Sequence, residues 1–152
     1  MDRKAEPRDC GAIYDLICDM EHRALPFEPF REIFLAQLQS EAFYCFVREE
    51  EGSVRGVLNL RFERQLHHAE RIAEIMEFAV APACRRRGVG REMLAEACRI
   101  ASGRGCTQIE VACNRLRKDT HRFYLREGMH DFHFKFSRSL TGNDSGENAL
   151  GR

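Results

Sequence analysis

The sequence predicts a mixed α/β (α+β) protein in which helices flank a central β-sheet. Two observations favour this class. Apolar residues recur at helical spacing near the start of the chain and alternate at strand spacing in its middle. Further along, a strand, a glycine-containing loop, a helix and another strand follow one another, which is typical of a parallel crossover. We therefore expect a mixed sheet rather than an all-helical or all-β fold.

The first half of the chain predicts two helices and a hairpin. Asp9 can cap a helix over residues 10–22, whose apolar positions share one face. After two prolines, a second amphipathic helix carries Phe30 and ends near Leu38. Two strands over residues 43–48 and 54–62 are joined by a short turn, as in an antiparallel hairpin.

The second half predicts alternating strands and helices: a strand at 72–80, a helix at 90–104, a strand at 109–113, a helix at 118–127 and a final strand at 130–136. Gly128 is placed to end the last helix, and phenylalanine alternates with polar residues in the final strand. We expect residues 1–140 to form a single domain. Residues 141–152 lack periodic apolar positions and are expected to be a flexible tail.

Composition excludes several classes of partner. Lys and Arg together number 24, as do Asp and Glu, so the net charge gives no reason to expect nucleic acid or a membrane surface. Residues 1–8 are charged, and no apolar stretch approaches the roughly 18 residues of a membrane span, so we expect a cytoplasmic protein. The seven cysteines include no CxxC pair, which favours reduced thiols over disulfides or a cysteine zinc site.

The strongest motif is Arg85-Arg86-Arg87-Gly88-Val89-Gly90, between a predicted strand and a predicted helix. Glycines allow a tight turn with amide groups pointing outward, and a helix N-terminus adds partial positive charge. Such a loop can hold phosphate groups. The pattern lacks the Gly-Lys-Ser/Thr of a P-loop and the third glycine of GxGxxG. A solvated basic turn is the alternative.

Arg-x-x-Gly-x-Gly after a strand that ends in Val-x-Pro resembles the pyrophosphate-binding motif of the GCN5-related N-acetyltransferases (GNAT). The resemblance implies six to seven strands in a mostly antiparallel sheet, about four helices, and a V-shaped splay between the two central parallel strands. It implies acetyl-CoA as donor, with pantetheine on the main chain of the strand and the diphosphate on the loop. The cofactor-binding set is then Phe78, Ala79, Val80, Arg85, Arg86, Arg87, Gly88, Val89, Gly90, Arg91, Asn114, His121 and Tyr124.

The same resemblance assigns proton-transfer roles. Tyr124 matches the tyrosine that protonates the departing thiolate, and a phenol is competent for that step at neutral pH. An ammonium acceptor must lose a proton before it attacks, and a strand carboxylate can receive it through water. Glu74 and Glu77 are the candidates. Because they are three residues apart, we expect them on opposite faces, with Glu74 beside Phe78 and Val80 and the preferred base. A core tyrosine and a salt-bridging carboxylate are the alternatives.

A closer resemblance runs over about residues 12–140 to the bacterial aminoalkylphosphonate N-acetyltransferases. It rests on Leu66-His67-His68, Glu74-Ile75 with Glu77, and the run from His121 to Gly128. It implies aminoalkylphosphonate acceptors and assistance by a divalent metal ion. A phosphonate needs charge-assisted donors. The candidate substrate residues are Phe30, Arg31, Arg61, Arg64, His67 and His68, and the last two are the candidate metal ligands.

Two alternatives stay open at this point. The acceptor could instead be a polyamine, an amino-sugar antibiotic or a protein N-terminus, although the basic residues favour an anionic acceptor over a polyamine. The chain could also be a CoA-binding regulatory module without catalysis. Apolar residues on the final strand favour a homodimer.

Overall fold

A computed structural model describes residues 1–142 of the chain. They fall into two compact units, the first spanning Met1–Val111 and the second beginning at Ala112. The predicted tail at 141–152 lies outside the described residues from position 143 onward. None of the helices in the described part has the length and apolar character needed to cross a membrane. The seven cysteines are free thiols.

The first unit is built on a five-stranded mixed sheet with its strands in chain order. The strands are β1 (Asp2–Lys4), β2 (Phe43–Glu50), β3 (Ser53–Gln65), β4 (Glu70–Val80) and β5 (Gln108–Val111). Strands β1 to β4 pair antiparallel, whereas β4 and β5 pair in parallel. The mixed α+β class is confirmed, but the described sheet has fewer strands than the predicted six to seven.

Helices α1 (Cys10–Glu21) and α2 (Phe27–Leu38) pack on one face of this sheet. Their apolar positions, among them Ile13, Ile17 and Phe34, share a buried cluster with Val57 of β3 and Ala79 of β4. Helical spacing predicted both helices within a few residues of their ends. At the N-terminal end of α1 the prediction was only half right, because Asp9 occupies the N-cap position without a side-chain cap bond.

The Asp9 carboxylate instead organises the chain before α1. It accepts a hydrogen bond from the Glu6 amide at 2.8 Å and two from the Arg3 guanidinium at 2.8 Å each. Arg3 also contacts Glu49 of β2. Asp9 is buried. Its pKa is lowered, chiefly by the hydrogen bonds from Arg3. The carboxylate thus ties the first strand to the helix that follows it.

Helix α3 (Val89–Gly103) covers the opposite face of the sheet. Adjacent residues on a strand point to opposite faces of the sheet. Val57 of β3 belongs to the cluster under α1 and α2, so its neighbour Gly56 faces the other side. There, a Cβ atom added at Gly56 would lie 2.7 Å from Met93 Sδ of α3. Met93 is fully buried. The absence of a side chain at Gly56 therefore lets α3 approach β3 closely, which places the start of the helix beside the end of β4.

The second unit contains α4 (Lys118–Arg126), close to the predicted 118–127. The predicted strand at 130–136 is wrong for the described chain, where these residues form no ladder. Phe132, Phe134 and Phe136 are instead 77%, 81% and 90% exposed. Alternation of polar and apolar residues requires only an extended backbone, and a strand additionally needs a partner for its hydrogen bonds.

Candidate active site

The glycine loop connects β4 to α3 and has the backbone of an anion-binding turn. A short 3₁₀ turn at Pro82–Cys84 begins it, and the buried Cys84 side chain anchors it to the core. Arg86 then adopts a positive φ of 63°, and Gly88, at the N-cap of α3, a φ of 80°. Left-handed residues in such a turn direct successive amides to one side, and the first amides of a helix have no partner within it.

Three consecutive exposed arginines surround this turn. Arg85 Nε donates to the Val80 carbonyl at 3.2 Å, and its guanidinium lies 3.3 Å from the Asp19 carboxylate of α1. Arg87 lies 3.6 Å from the Glu50 carboxylate. These exposed pairs contribute little to stability, but they hold cationic groups around the helix N-terminus. The loop can therefore receive a multiply charged phosphate ligand.

Strands β4 and β5 stop pairing before β4 ends. Their parallel ladder finishes at the pair Ile75 and Val111, whereas β4 continues to Val80. The predicted cofactor-contacting residues Phe78, Ala79 and Val80 lie in this extension. The extension leads directly into the glycine loop, so the strand and loop assigned by resemblance to pantetheine and diphosphate are continuous.

The two candidate bases, Glu74 and Glu77, lie on the same face of the sheet. Glu77 pairs with Asn59, and Glu74 pairs with Arg61. Residues two apart on a strand point the same way, and paired residues share a face. Both carboxylates therefore lie on the face covered by α1 and α2.

A β-bulge in β4 causes this arrangement. The ladder passes from the Asn59–Glu77 pair directly to the pair formed by Leu60 and Ile75, which makes Met76 the extra residue. The predicted opposite orientation of the two glutamates is wrong, because an inserted residue reverses the alternation. The prediction that Glu74 shares a face with Phe78 and Val80 is wrong for the same reason.

The surroundings of the two carboxylates differ. Burial raises the pKa of Glu77, and a hydrogen bond from Asn59 Nδ2, at 3.3 Å from Oε2, partly offsets that rise. Glu74 Oε2 instead accepts from Arg61 at 2.8 Å, in a pair that Glu63 joins at 3.3 Å. Glu77 is thus the more basic of the two by its environment, because it is buried, whereas Glu74 is engaged by a guanidinium.

Asn59 and Gln37 complete this face and were missed by the sequence analysis. Asn59 is only 7% exposed, and its Nδ2 donates to Gln37 Oε1 of α2 at 2.9 Å. The available signal was Asn59 itself, a single amide inside the apolar run Val57-Leu58-Asn59-Leu60. A polar side chain in a buried strand needs partners, and therefore marks a local polar site.

The second unit carries Asn114, His121 and Tyr124. Asn114 Oδ1 accepts from the Leu116 amide at 2.8 Å, and the Asn114 carbonyl lies 2.7 Å from His121 Nε2. Asn114 therefore forms the turn before α4, and the contact with His121 stabilises that turn. Burial, with a smaller effect of Cys113, raises the pKa of Tyr124 to about 12.

The six residues predicted to bind the acceptor lie in three separate parts of the first unit. Phe30 packs edge-to-face on Tyr14 at 5.3 Å, and the adjacent Arg31 is exposed on α2. Arg61 lies beside Glu74, as described above. The remaining three belong to the β3–β4 hairpin end, where Arg64 lines a separate groove of about 580 Å³ and the turn contains His67 and His68.

The two histidines do not build a metal site in the described chain. Their ring centroids are 4.2 Å apart, and His68 Nδ1 lies 2.6 Å from Gln65 Oε1. No group of three or more potential metal ligands occurs among residues 1–142. Three protein ligands is the usual minimum for a catalytic zinc site, so the residues present do not fit that role.

Comparison with known proteins decides the family. The sequence profile of the acetyltransferase (GNAT) family matches residues 10–129. The chain belongs to the GNAT family. It is an acetyl-CoA-dependent N-acetyltransferase with a small-molecule acceptor, as the GNAT resemblance implied.

One curated relative agrees with the family, and two solved structures share the fold. The GNAT chain is 36% identical over 138 residues to an aminoalkylphosphonate N-acetyltransferase of Salmonella typhimurium, a match that covers 91% of this chain and 90% of that protein. A putative acetyltransferase from Agrobacterium tumefaciens has the same fold, with a TM-score of 0.81, 24% identity, and coverage of 92% and 99% of the two chains. So has an aminoglycoside N-acetyltransferase solved with CoA, with a TM-score of 0.82, 14% identity, and coverage of 92% and 94%.

Proposed function

We propose that this GNAT enzyme transfers the acetyl group of acetyl-CoA to the primary amine of a small aminoalkylphosphonate. The observation that carries the proposal is that Glu77 and Arg61 lie on one face of the sheet. Glu77 of β4 pairs with Asn59 of β3, and Arg61 lies two residues further along β3. A carboxylate that can take a proton from an amine then stands near a guanidinium that can bind an anion. The Salmonella relative, an aminoalkylphosphonate N-acetyltransferase, supports the same acceptor class.

The donor side of the proposal rests on the loop between β4 and α3. The left-handed backbone at Arg86 and Gly88, the N-terminus of α3 and three exposed arginines fit a diphosphate. Phe78, Ala79 and Val80 would run alongside the pantetheine arm. Acetyl-CoA supplies the activated thioester, and the amine attacks it directly without a covalent acyl-enzyme.

Glu77 is proposed as the general base. An alkyl ammonium has a pKa of about 10, so at neutral pH it must give up a proton before it becomes a nucleophile. The raised pKa of Glu77 brings its basicity closer to the operating pH, which is the condition for efficient proton transfer. Glu74 is proposed to hold Arg61 in place instead.

Tyr124 is proposed to protonate the departing CoA thiolate. Its pKa, raised to about 12, keeps the phenol protonated at every pH at which the enzyme would work. A thiol has a pKa of about 8.5, well below that of the phenol, so complete transfer of the proton to a free thiolate is uphill; the phenol donates its hydrogen bond to the sulfur as the C–S bond breaks, and a phenolate that forms regains its proton from solvent. Asn114 and His121 would set the position of α4 and hence of Tyr124. No step requires a metal ion.

A thiol-release assay with acetyl-CoA and a panel of amines tests the proposal. Aminomethyl- and 2-aminoethylphosphonate should turn over with higher kcat/KM than putrescine, an amino-sugar or a peptide N-terminus, with EDTA present. Preference for putrescine or the amino-sugar would refute the phosphonate assignment. Tight CoA binding without turnover of any amine would indicate a regulatory module.

A further inference from the structure

Two buried side-chain atoms lack hydrogen-bond partners in the described chain, and both belong to β3. They are Asn59 Oδ1, an acceptor, and Arg61 Nε, a donor. Buried polar atoms in folded proteins are almost always satisfied, and an unsatisfied pair at one site calls for a missing partner. Because the two residues share a face and are two positions apart, their Cα atoms are roughly 7 Å from each other.

The orientation of the Asn59 amide follows from its neighbours. Its nitrogen lies 2.9 Å from Gln37 Oε1 and 3.3 Å from Glu77 Oε2, and both of these atoms are acceptors when Glu77 is ionised. Only the NH₂ group can satisfy two acceptors at once. The amide nitrogen therefore faces these two acceptors, and the buried amide oxygen is left without a donor.

The Arg61 guanidinium is oriented in a similar way. Its Nη2 atom donates to Glu74 at 2.8 Å and lies 3.3 Å from Glu63. These carboxylates hold the terminal end of the side chain, so Nε retains a buried N–H without a partner. The second orphaned group is therefore a cationic donor in a fixed place.

We propose that Asn59 and Arg61 bind the two ends of a zwitterionic acceptor, with the amine at Asn59 Oδ1, on the sheet face that carries Glu77, and the anion at Arg61 Nε. The inference rests on the proposed function and adds Asn59 as a specificity-determining residue. One short molecule with an N–H donor and an anionic oxygen satisfies both atoms. A diamine of similar length places a second cation against the guanidinium, which the site rejects.

Two substitutions separate the two ends. Arg61→Met should lower kcat/KM for 2-aminoethylphosphonate roughly 10- to 100-fold, the loss expected for a charged hydrogen bond, while kcat/KM for n-propylamine stays within about threefold. Asn59→Leu should lower kcat/KM for both acceptors by at least about tenfold, because it removes the contact to the amine they share. Arg99→Met, an exposed substitution on α3, is the matched control and should change neither.

The acceptor panel distinguishes the possible failures. An equal loss on both acceptors in Arg61→Met, or unchanged kinetics in Asn59→Leu, overturns this inference and leaves acetyl transfer intact. If the wild-type protein acetylates no amine, the proposed function falls and this inference falls with it.

Asn59→Asp provides a second variant if Asn59→Leu does not fold. Aspartate preserves the size of the side chain, but replaces the Glu77 hydrogen-bond donor with a negative charge. The acidic limb of the pH profile of kcat/KM should therefore move to higher pH in Asn59→Asp. An unmoved acidic limb would show that Asn59 does not act next to the base.

Discussion

Replacing Glu77 with glutamine tests the central chemical assignment with little structural change. Glutamine has nearly the same shape, and its carbonyl oxygen can still accept the hydrogen bond that Asn59 donates at 3.3 Å. What it cannot do is accept a proton from the acceptor ammonium. The variant therefore removes the proposed base and leaves the face of the sheet intact.

The expected loss follows from what general base catalysis contributes. Glu77→Gln should reduce kcat/KM about 10²- to 10⁴-fold, with the acetyl-CoA Kd unchanged. Glu74→Gln is the matched comparison, because it lies on the same strand and face but its carboxylate engages Arg61 at 2.8 Å. It should act mainly through KM for phosphonate acceptors, by roughly tenfold, because it loosens the guanidinium.

The same variant has a predicted effect on stability. Because burial raises the pKa of Glu77, the folded state holds its proton to a higher pH than the unfolded chain does. Glu77 therefore lowers the free energy of unfolding as pH rises from the unfolded pKa through the raised folded one. Glu77→Gln should be more stable than wild type above that range, and should lose this advantage in acid.

Steady-state thiol-release kinetics and urea unfolding at pH 5 and pH 8 measure both effects. Wild-type kcat/KM should fall as the pH drops through the raised pKa of Glu77, and this acidic limb should be absent in Glu77→Gln. The reasoning is refuted if Glu77→Gln retains more than about a tenth of the activity, or if Glu74→Gln alone removes the acidic limb.

Three further predictions concern the loop, the second unit and the N-terminus. Gly88→Ala should cost roughly 1–2 kcal/mol because its φ is 80°, and isothermal titration should show acetyl-CoA binding at least about fivefold weaker; unchanged affinity would remove the loop from the donor site. Tyr124→Phe should lower kcat by at least about tenfold without weakening acetyl-CoA binding. Since the pKa of Tyr124 is about 12, ionisation of this phenol should not lower the wild-type kcat below pH 10. Equal loss of rate and of acetyl-CoA binding in the variant would contradict the role. Asp9→Asn should lower the free energy of unfolding, measured with urea at pH 7, by about 1.5–3 kcal/mol. Since folding lowers the pKa of Asp9, this difference from wild type should shrink as the pH falls through the lowered pKa. A difference that does not change with pH would argue against the ion pair with Arg3.

Local signals predicted the elements that depend on local physics. Within residues 1–142, the four α-helices and four of the strands follow from apolar periodicity, and the loop at residues 85–90 follows from its glycines and its place between a strand and a helix. The backbone at Gly88 then adopts the left-handed conformation that the glycine permits. These features require no knowledge of distant contacts.

Long-range pairing accounts for the errors. The bulge at Met76 has no signature in sequence, because strict alternation and alternation with one extra residue differ only in the register against β3. The partners of Asn59 are likewise invisible, since Gln37 comes from a helix 22 positions earlier in the chain. The mistaken strand at 130–136 shows the same limit, because alternation predicts an extended chain but not its neighbour.

The extra residue Met76 divides β4 into two segments that pair with β3 in different registers. From Glu77 to Val80 the chain keeps a fixed number of residues between the proposed base and the phosphate loop. On the other side of Met76, the segment of β4 that contains Glu74 pairs with Leu60 and Arg61 of β3 in a register shifted by one residue. Deleting Met76 would restore regular alternation and leave Glu74 and Glu77 two residues apart, so both carboxylates would still lie on the face covered by α1 and α2, and only the local bend that a bulge gives the strand would be lost.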